Sequence, residues 1–399
     1  MLTLCAWLIQ DDILSERLLP LTQNKSLLLL RVGTMTIEER WAYFFPDLSY
    51  VINLKDNPDE LSLCLFLDAG LVPSFKLAQA LSQLQDKEAF CVAGHIVAAG
   101  IPSDLMSLFQ DLSSAQERNL FFEKHSYVRI EKDLLFIGHL WDILQANKIC
   151  LEEDFESSTP DYPALIDLVG DPQNLNIAKD LTIYGRVTLN VENGPITIKE
   201  GVVIKAPCII EGPAYIGEKT LVSAARIRRY TTIGPFCKVS GEIGSTIFEG
   251  YSNKAHDGYI GDSYIGSWVN LGAMTTTSNL KNNYGIIRVK ENGEEAPSGC
   301  MYLGAFIGDY VTAGIGTLIP TGATWGPCIN IYGGHLGPKY MPPFIWGTQK
   351  DWTVYEIDKA KSNFEVMMSR RKMLFNEESI KRFDSIYLSS TKERESFLS

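Results

Sequence analysis

Between Ser252 and Tyr284 the chain brings Lys254, His256, Asp257, Tyr259, Asp262, Asn270, Asn279 and Lys281 into a stretch otherwise rich in glycine and small residues. Imidazole suits general-base work near neutral pH, its ordinary pKa lying at ~6.5. An amine attacking a thioester needs such a base, because its ammonium form cannot attack. The plainer alternative makes His256 one polar corner of a structural repeat, and Asn270 a corner asparagine. Lys254, Tyr259 and Asn270 around it favour the chemical reading. The other histidines, at 95, 125, 139 and 335, have no such setting and give no metal-ligand spacing.

The elements that must carry these residues are visible in a repeat. Aliphatic residues recur at steps of six at Ile198, Ile204, Ile210, Ile216 and Val222, then at Ile227, Ile233 and Val239. The series reappears at Ile260, Ile265 and Leu271, and again at Ile307, Ala313, Ile319, Trp325 and Ile331. Glycine follows the aliphatic position at 217, 234, 261, 266, 272, 308, 314 and 326. Six is neither a helical period nor a simple strand alternation. It fits a solenoid of short strands with one inward aliphatic residue per side, three sides to a coil of ~eighteen residues. Corners needing positive φ are expected to hold glycine or asparagine. The period blurs between Val239 and Ile260, and a polar insertion, "NLKNNYGIIRVKENGEEAPSGCMY", follows Ser278 with a hairpin turn expected at Asn292-Gly293. Loops leaving a rigid scaffold are where function usually sits.

Residues 1–150 alternate short apolar runs (Leu2–Ile9, Leu61–Leu67, Phe90–Val97) with helical stretches, which predicts an α/β domain with a largely parallel sheet. The chain after Pro343 is helical in pattern and is expected to pack along the solenoid or against a neighbouring subunit. The expected divisions are an α/β domain over 1–160, the solenoid over 161–346 and a helical extension over 347–399. A net charge of −12 without a basic cluster argues against a nucleic-acid partner. Eight cysteines without a C-x-x-C pair read as thiols of a reducing compartment. The apolar start "MLTLCAWLIQDD" lacks a basic flank and a cleavage site, so a buried first strand is expected there rather than a signal peptide. No apolar run reaches membrane-spanning length, and a cytoplasmic protein without a membrane partner is expected.

"KAHDGYIGDSYIGSWVNLGAMTTTSN" resembles the acetyltransferase site of the bifunctional uridyltransferase/acetyltransferase family that makes UDP-N-acetylglucosamine, patterned K-A-x-H-L-x-Y-L-G-D-x-x-I-G-x-x-x-N-I-G-A-G-T. It is similar also to a Bacteroidetes-type variant and to archaeal sugar-1-phosphate nucleotidylyltransferase/acetyltransferases, which share the following N-L-K/R. The resemblance implies a left-handed parallel β-helix of hexapeptide repeats and a homotrimer with sites shared between subunits. It implies that His256 takes a proton from the 2-amino group of glucosamine-1-phosphate. Tyr259 and Asn270 would then contact the amino sugar phosphate, with Lys238 and Lys254 as candidate phosphate contacts. Ala273, Asn279 and Gly333 would lie along acetyl-CoA. Met274 stands where the family has glycine, Asp257 where it has leucine, and Ile315 where a small polar residue is frequent.

Arg17–Trp41, "RLLPLTQNKSLLLLRVGTMTIEERW", is similar to the start of sugar-phosphate nucleotidyltransferases, although the preceding "QDDILSE" has no glycine. The Bacteroidetes-type variant, patterned L-L-P-L-T-x-x-R-P-x-x-x-L-R-x-G-x-x-T-I-x-E-K-W, also lacks the glycine-rich loop. This sequence keeps "LLPLT", "LRVG" and "TIEERW" and replaces Arg-Pro with Lys25-Ser26. The resemblance implies uridylyl transfer from UTP, or another nucleoside triphosphate, to N-acetylglucosamine-1-phosphate. Arg17, Lys25 and Arg31 are the expected phosphate contacts and Asp68 the expected Mg²⁺ carboxylate, with turn capping by Asp68 and surface positions for Arg17 and Arg31 as alternatives. Two rival functions stay open: an acetyltransferase whose N-terminal domain only binds or regulates, and a non-catalytic trimeric scaffold.

Overall fold

The computed structural model describes residues 5–51, 63–158, 162–291 and 293–399. The chain forms two compact units: Met1–Leu18, Ser26–Leu30 and Met35–Ala146 make the first, and Leu19–Lys25, Arg31–Thr34 and Asn147–Ser399 the second. Among the described residues no helix is long and apolar enough to cross a membrane.

The first unit is built on a six-stranded sheet. Its strands are β1 (Cys5–Ile9), β2 (Ser49–Val51), β3 (Leu63–Asp68), β4 (Glu88–Val92), β5 (His95–Pro102) and β6 (Val128–Glu131), in the order β2-β1-β3-β5-β4-β6. Of the apolar start, Met1–Leu4 lie outside the described residues and Cys5–Ile9 form β1, with Ala6, Trp7 and Leu8 in the core. The sheet is mixed rather than largely parallel, because β5 runs antiparallel to both its neighbours. The run Phe90–Val97 breaks at Ala93 and Gly94, whose φ values of 49° and 80° turn the chain back into a hairpin. Trp7, Phe66, Phe109, Phe121 and Phe122 fill the core beneath the sheet. Two helices border the pocket described below: α1 (Asp12–Arg17) and α2 (Ala115–Lys124), the latter opened by a Ser114–Glu117 capping box.

The second unit is a parallel β-solenoid of about ten turns. One side is a nine-stranded ladder whose inward column reads Ile177, Ile198, Ile216, Ile233, Phe248, Ile265, Ile307, Trp325 and Met341. The six-residue series thus marks inward positions, which stack across coils and exclude water from the interior. A second inward row includes Ile204, Val222 and Val239, and a third includes Ile210, Ile227, Ile243 and Ile260. The insertion forms an antiparallel hairpin, Arg288–Glu291 with Glu294–Pro297. Of its expected turn, Asn292 lies outside the described residues and Gly293 has φ 82°.

Corners depart from expectation: Tyr230, Ser245, Asp262 and Met274 hold positive φ without being glycine or asparagine, and one corner does so with a column of aromatic residues. Phe236, Tyr251, Trp268 and Tyr310 hold φ values of 56°, 57°, 62° and 60°, where glycine or asparagine was expected. Left-handed backbone costs a side chain roughly 1–2 kcal/mol. Stacking down the corner offsets it, with ring centroids 4.9 Å apart for Phe236–Tyr251, 4.6 Å for Tyr251–Trp268 and 6.3 Å for Trp268–Tyr310. Helices α3 (Ile357–Ser369) and α4 (Glu377–Ser389) pack on this aromatic column through Phe364, Met368, Phe383 and Ile386. The C-terminal extension therefore runs along its own solenoid.

Lys25 and Arg31, expected at nucleotide phosphates, belong to the second unit. The Lys25 ammonium donates to both Glu249 carboxylate oxygens at 2.6 Å and to Asp309 Oδ1 at 2.8 Å, all buried. Burial alone would lower its pKa, but Asp309 and Glu249 outweigh it and raise the value. Arg31 is also buried, its guanidinium donating to the carbonyls of Glu249 and Thr34. Each cation is thus occupied inside the solenoid unit, which corrects its expected place. Removing the ammonium leaves two buried carboxylates without their counter-charge. Lys25→Met is expected to destabilise this unit by about 3–5 kcal/mol, read by urea denaturation of the full chain; a change below about 1 kcal/mol would mean that the cluster is not holding the segment.

Candidate active site

His256 stands exposed on the corner between the strands Asn253–Lys254 and Tyr259–Gly261. The corner repeats coil after coil along one edge. The Met274 amide donates to the Asp257 carbonyl at 2.7 Å, and the Gly316 amide to the Ala273 carbonyl at 2.8 Å. A Cβ on Gly316 would lie 3.4 Å from the Gly334 Cα. His256, Ala273 and the pair Gly333-Gly334 therefore occupy successive levels of one edge. Met274 and Ile315 lie between them, 58% and 73% exposed. The edge is thus an exposed apolar stripe that ends in glycines of φ 103° and 62°, where no side chain covers the backbone.

Lys238 and Asn270 fall on a second row, on the outer face of a strand side. Lys238 pairs with Asn253, and Asn253 with Asn270, whose amide oxygen accepts from Asn253 Nδ2 at 3.4 Å. Arg371, just after α3, donates to Asn253 Oδ1 and the Phe236 carbonyl, both at 2.8 Å. Neither Asn253 nor Arg371 was picked out from the sequence; the arginine lies far along the chain, in a segment that reads as a plain amphipathic helix.

Tyr259 and Asn279 make a third group. The Asn279 amide nitrogen donates to the Tyr259 phenol at 2.9 Å and to Asp262 Oδ2 at 2.7 Å. Asn279 is thus engaged with Tyr259 rather than turned toward a cofactor. With its oxygen accepting from Asn279, the phenol keeps its own proton to donate outward. Burial, then the Asp262 charge, raise the phenol pKa and so hold it protonated. Burial likewise raises the Asp262 pKa.

Lys254, expected at a phosphate, is buried and points inward. Its ammonium donates to the carbonyls of His256 and Asp257, the latter at 2.7 Å. Two backbone oxygens therefore hold it inside the corner, away from any phosphate on the outer face.

In the first unit a cavity of about 170 Å³ brings Arg17 and Asp68 together with Asp11, His95, Arg118 and Asn119 over Phe66, Phe122 and Phe136. Asp68 ends β3 and accepts from the Gly70 amide at 2.8 Å, so it also serves the turn. Burial pushes its pKa up to about 7, the Gly70 bond and Arg118 opposing and Asp11 adding to the rise. Asp11 was not foreseen. One of its oxygens accepts from the Leu14 amide at 2.7 Å, capping α1, and the other from Arg118 at 3.1 Å. Where a glycine-rich loop would open toward phosphates, this turn is closed by its own carboxylate. Among the described residues no group of three His, Cys, Asp or Glu is placed to hold a metal. Asp68 alone fits a Mg²⁺ ion that takes its other ligands from water and substrate phosphates, the usual state for this ion.

Residues 7–161 match the sugar nucleotidyl transferase family. A bifunctional sugar-1-phosphate nucleotidylyltransferase/acetyltransferase of Sulfurisphaera tokodaii is 32% identical over 222 residues, 54% of this chain and 49% of that protein. The bifunctional protein GlmU of Methanococcus maripaludis strain C5 is 31% identical over 271 residues, 66% of this chain and 55% of that protein. The chain thus spans about half the length of the curated relatives it matches. Among solved structures, an Arabidopsis UDP-N-acetylglucosamine acyltransferase aligns at 11% identity and TM-score 0.25, over 50% of this chain and 76% of that one. A Bacillus cereus putative acetyltransferase aligns at 16% identity and TM-score 0.19, over 56% of this chain and 91% of that one. By these sequence matches the chain is similar to bifunctional sugar-1-phosphate nucleotidylyltransferase/acetyltransferases, and its residues 7–161 match the sugar nucleotidyl transferase family.

Proposed function

We propose that the chain is a bifunctional enzyme of UDP-N-acetylglucosamine synthesis. The solenoid transfers the acetyl group of acetyl-CoA to the 2-amino group of glucosamine-1-phosphate. The amine nitrogen bonds to the thioester carbonyl carbon, His256 takes the amine proton, the carbon–sulfur bond breaks, and the proton passes from His256 to the sulfur, so that coenzyme A leaves as the thiol. The Tyr259 phenol donates to the sugar phosphate, with Lys238 and Asn270 on the neighbouring outer row. The observation that carries this reading is the exposed imidazole of His256 at the head of an edge that continues as Ala273-Met274, Ile315-Gly316 and Gly333-Gly334. That exposed apolar edge also supports a homotrimer with sites shared between subunits. Cys64, Cys91, Cys150, Cys208, Cys237, Cys300 and Cys328 are free thiols, in keeping with a cytoplasmic location.

In the first unit the proposed reaction is uridylyl transfer from UTP to N-acetylglucosamine-1-phosphate. Asp68 would hold Mg²⁺, which supplies charge neutralisation at the phosphates, and Arg17 and Arg118 would face the same anions. The Asp11 cap favours a second reading, in which this pocket binds a sugar phosphate without turning it over. The test is a pair of assays on the full chain: coenzyme A thiol release with glucosamine-1-phosphate, and pyrophosphate release with UTP. Thiol release without pyrophosphate release selects the second reading; neither product from any amino sugar phosphate overturns both.

A further inference from the structure

The second inward row of the solenoid runs Ile204, Val222, Val239 on one side of the His256 level and Leu271, Ala313, Ile331 on the other. Val239 pairs with Lys254, and the Asn253–Asn270 pairing sets Lys254 next to Leu271. A lysine therefore occupies one place in an aliphatic row, at the level of the candidate base. Leucine would fill that place without burying a charge. Burial of the ammonium is unfavourable and lowers its pKa to about 8. A local rule broken at such a position points to a functional constraint.

We propose that Lys254 is a positioning residue that pins the His256 corner from inside the solenoid. Its ammonium bonds two consecutive carbonyls, those of His256 and Asp257. The Asp257 oxygen accepts at the same time from the Met274 amide of the next coil at 2.7 Å. Fixing both carbonyls fixes the peptide planes that follow His256 and Asp257, and with them the direction in which the imidazole leaves the edge. Gly258 completes the clamp: at φ 131°, a Cβ there would lie 3.1 Å from the Lys254 nitrogen and 2.2 Å from the Thr275 carbonyl oxygen. The chain from 256 to 258 is thus held between a buried cation on one side and the next coil on the other. This role rests on His256 being the base of acetyl transfer.

The test is Lys254→Met, which keeps the length and removes the donors, beside His256→Ala. Misplacing a catalytic group by about 1 Å costs roughly 100-fold, so kcat for acetyl transfer should fall about 10- to 100-fold. KM for acetyl-CoA and for the amino sugar phosphate should stay within about twofold. Hydrogen exchange at the Met274 amide should quicken at least about tenfold. A raised KM for the sugar phosphate with kcat unchanged would make Lys254 a phosphate contact and overturn the proposal. So would a lowered kcat without faster exchange at Met274, or no change in either. Full activity of His256→Ala would instead overturn the base assignment, while Met274 exchange still decides whether Lys254 pins the corner. If Lys254→Met does not fold, Lys254→Leu, which restores the aliphatic row, carries the same readings.

Discussion

His256→Ala is expected to lower kcat for acetyl transfer by about 10²- to 10⁴-fold while leaving the melting temperature and KM close to the parent values. The imidazole is exposed at its corner, so its loss opens no cavity in the inward rows. The coil itself is held elsewhere: by Ile243 and Ile260 in the third row, by Phe248 and Ile265 in the ladder, and by backbone bonds from Met274 to Asp257 and from Asn253 to Val269. Without the base, the amine must lose its proton to water in the transition state, so the effect falls on kcat rather than on binding. Initial rates of thiol release at saturating acetyl-CoA read the effect directly. Undiminished turnover would remove His256 from the chemistry, whatever the sequence likeness.

The solenoid was legible because inward residues of successive coils answer to one another at a fixed step. Ile198, Ile216, Ile233, Ile265, Ile307 and Trp325 all fall in a single column of the ladder. Phe248 was missed where coils shorten, the step from Ile233 to Phe248 being fifteen residues instead of about eighteen. Lys254 escaped for a second reason: it takes an aliphatic place that no hydrophobic pattern would assign to it. The aromatic corner was illegible because left-handed backbone at Tyr251 or Trp268 is affordable only once its neighbours stack on it.

The edge that carries His256, Ala273 and Gly333 follows from the repeat, since residues one coil apart meet at the same corner. The destinations of Lys25 and Arg31 do not. Both lie inside a stretch similar to nucleotidyltransferases, yet Glu249 and Asp309, more than two hundred residues further on, take the lysine. Arg118 and Asp11 likewise meet only through the fold, one in α2 and the other just before α1. Sequence spacing reports neighbours along an element; ion pairs between distant elements leave no such periodic trace.

Asp68→Asn is expected to reduce uridylyl transfer by about 10²- to 10³-fold and to weaken Mg²⁺-dependent binding of UTP, with acetyl transfer unchanged. Asparagine keeps the shape of the residue and an oxygen to accept from the Gly70 amide, so the turn after β3 survives. What disappears is a carboxylate that a metal ion would draw into its charged form; among the described lining residues the other carboxylate, Asp11, is already taken by Leu14 and Arg118. A divalent ion there needs that charge, because neither the pocket's arginines nor its phenylalanines can replace it. Pyrophosphate release against Mg²⁺ concentration, together with calorimetric titration of Mg²⁺–UTP, separates the outcomes. Equal turnover and equal binding in Asp68→Asn would show that Asp68 only serves its turn. A wild-type chain that binds N-acetylglucosamine-1-phosphate but releases no pyrophosphate would make the pocket a binding module, its phosphate cradle closed by the Asp11 carboxylate that caps α1.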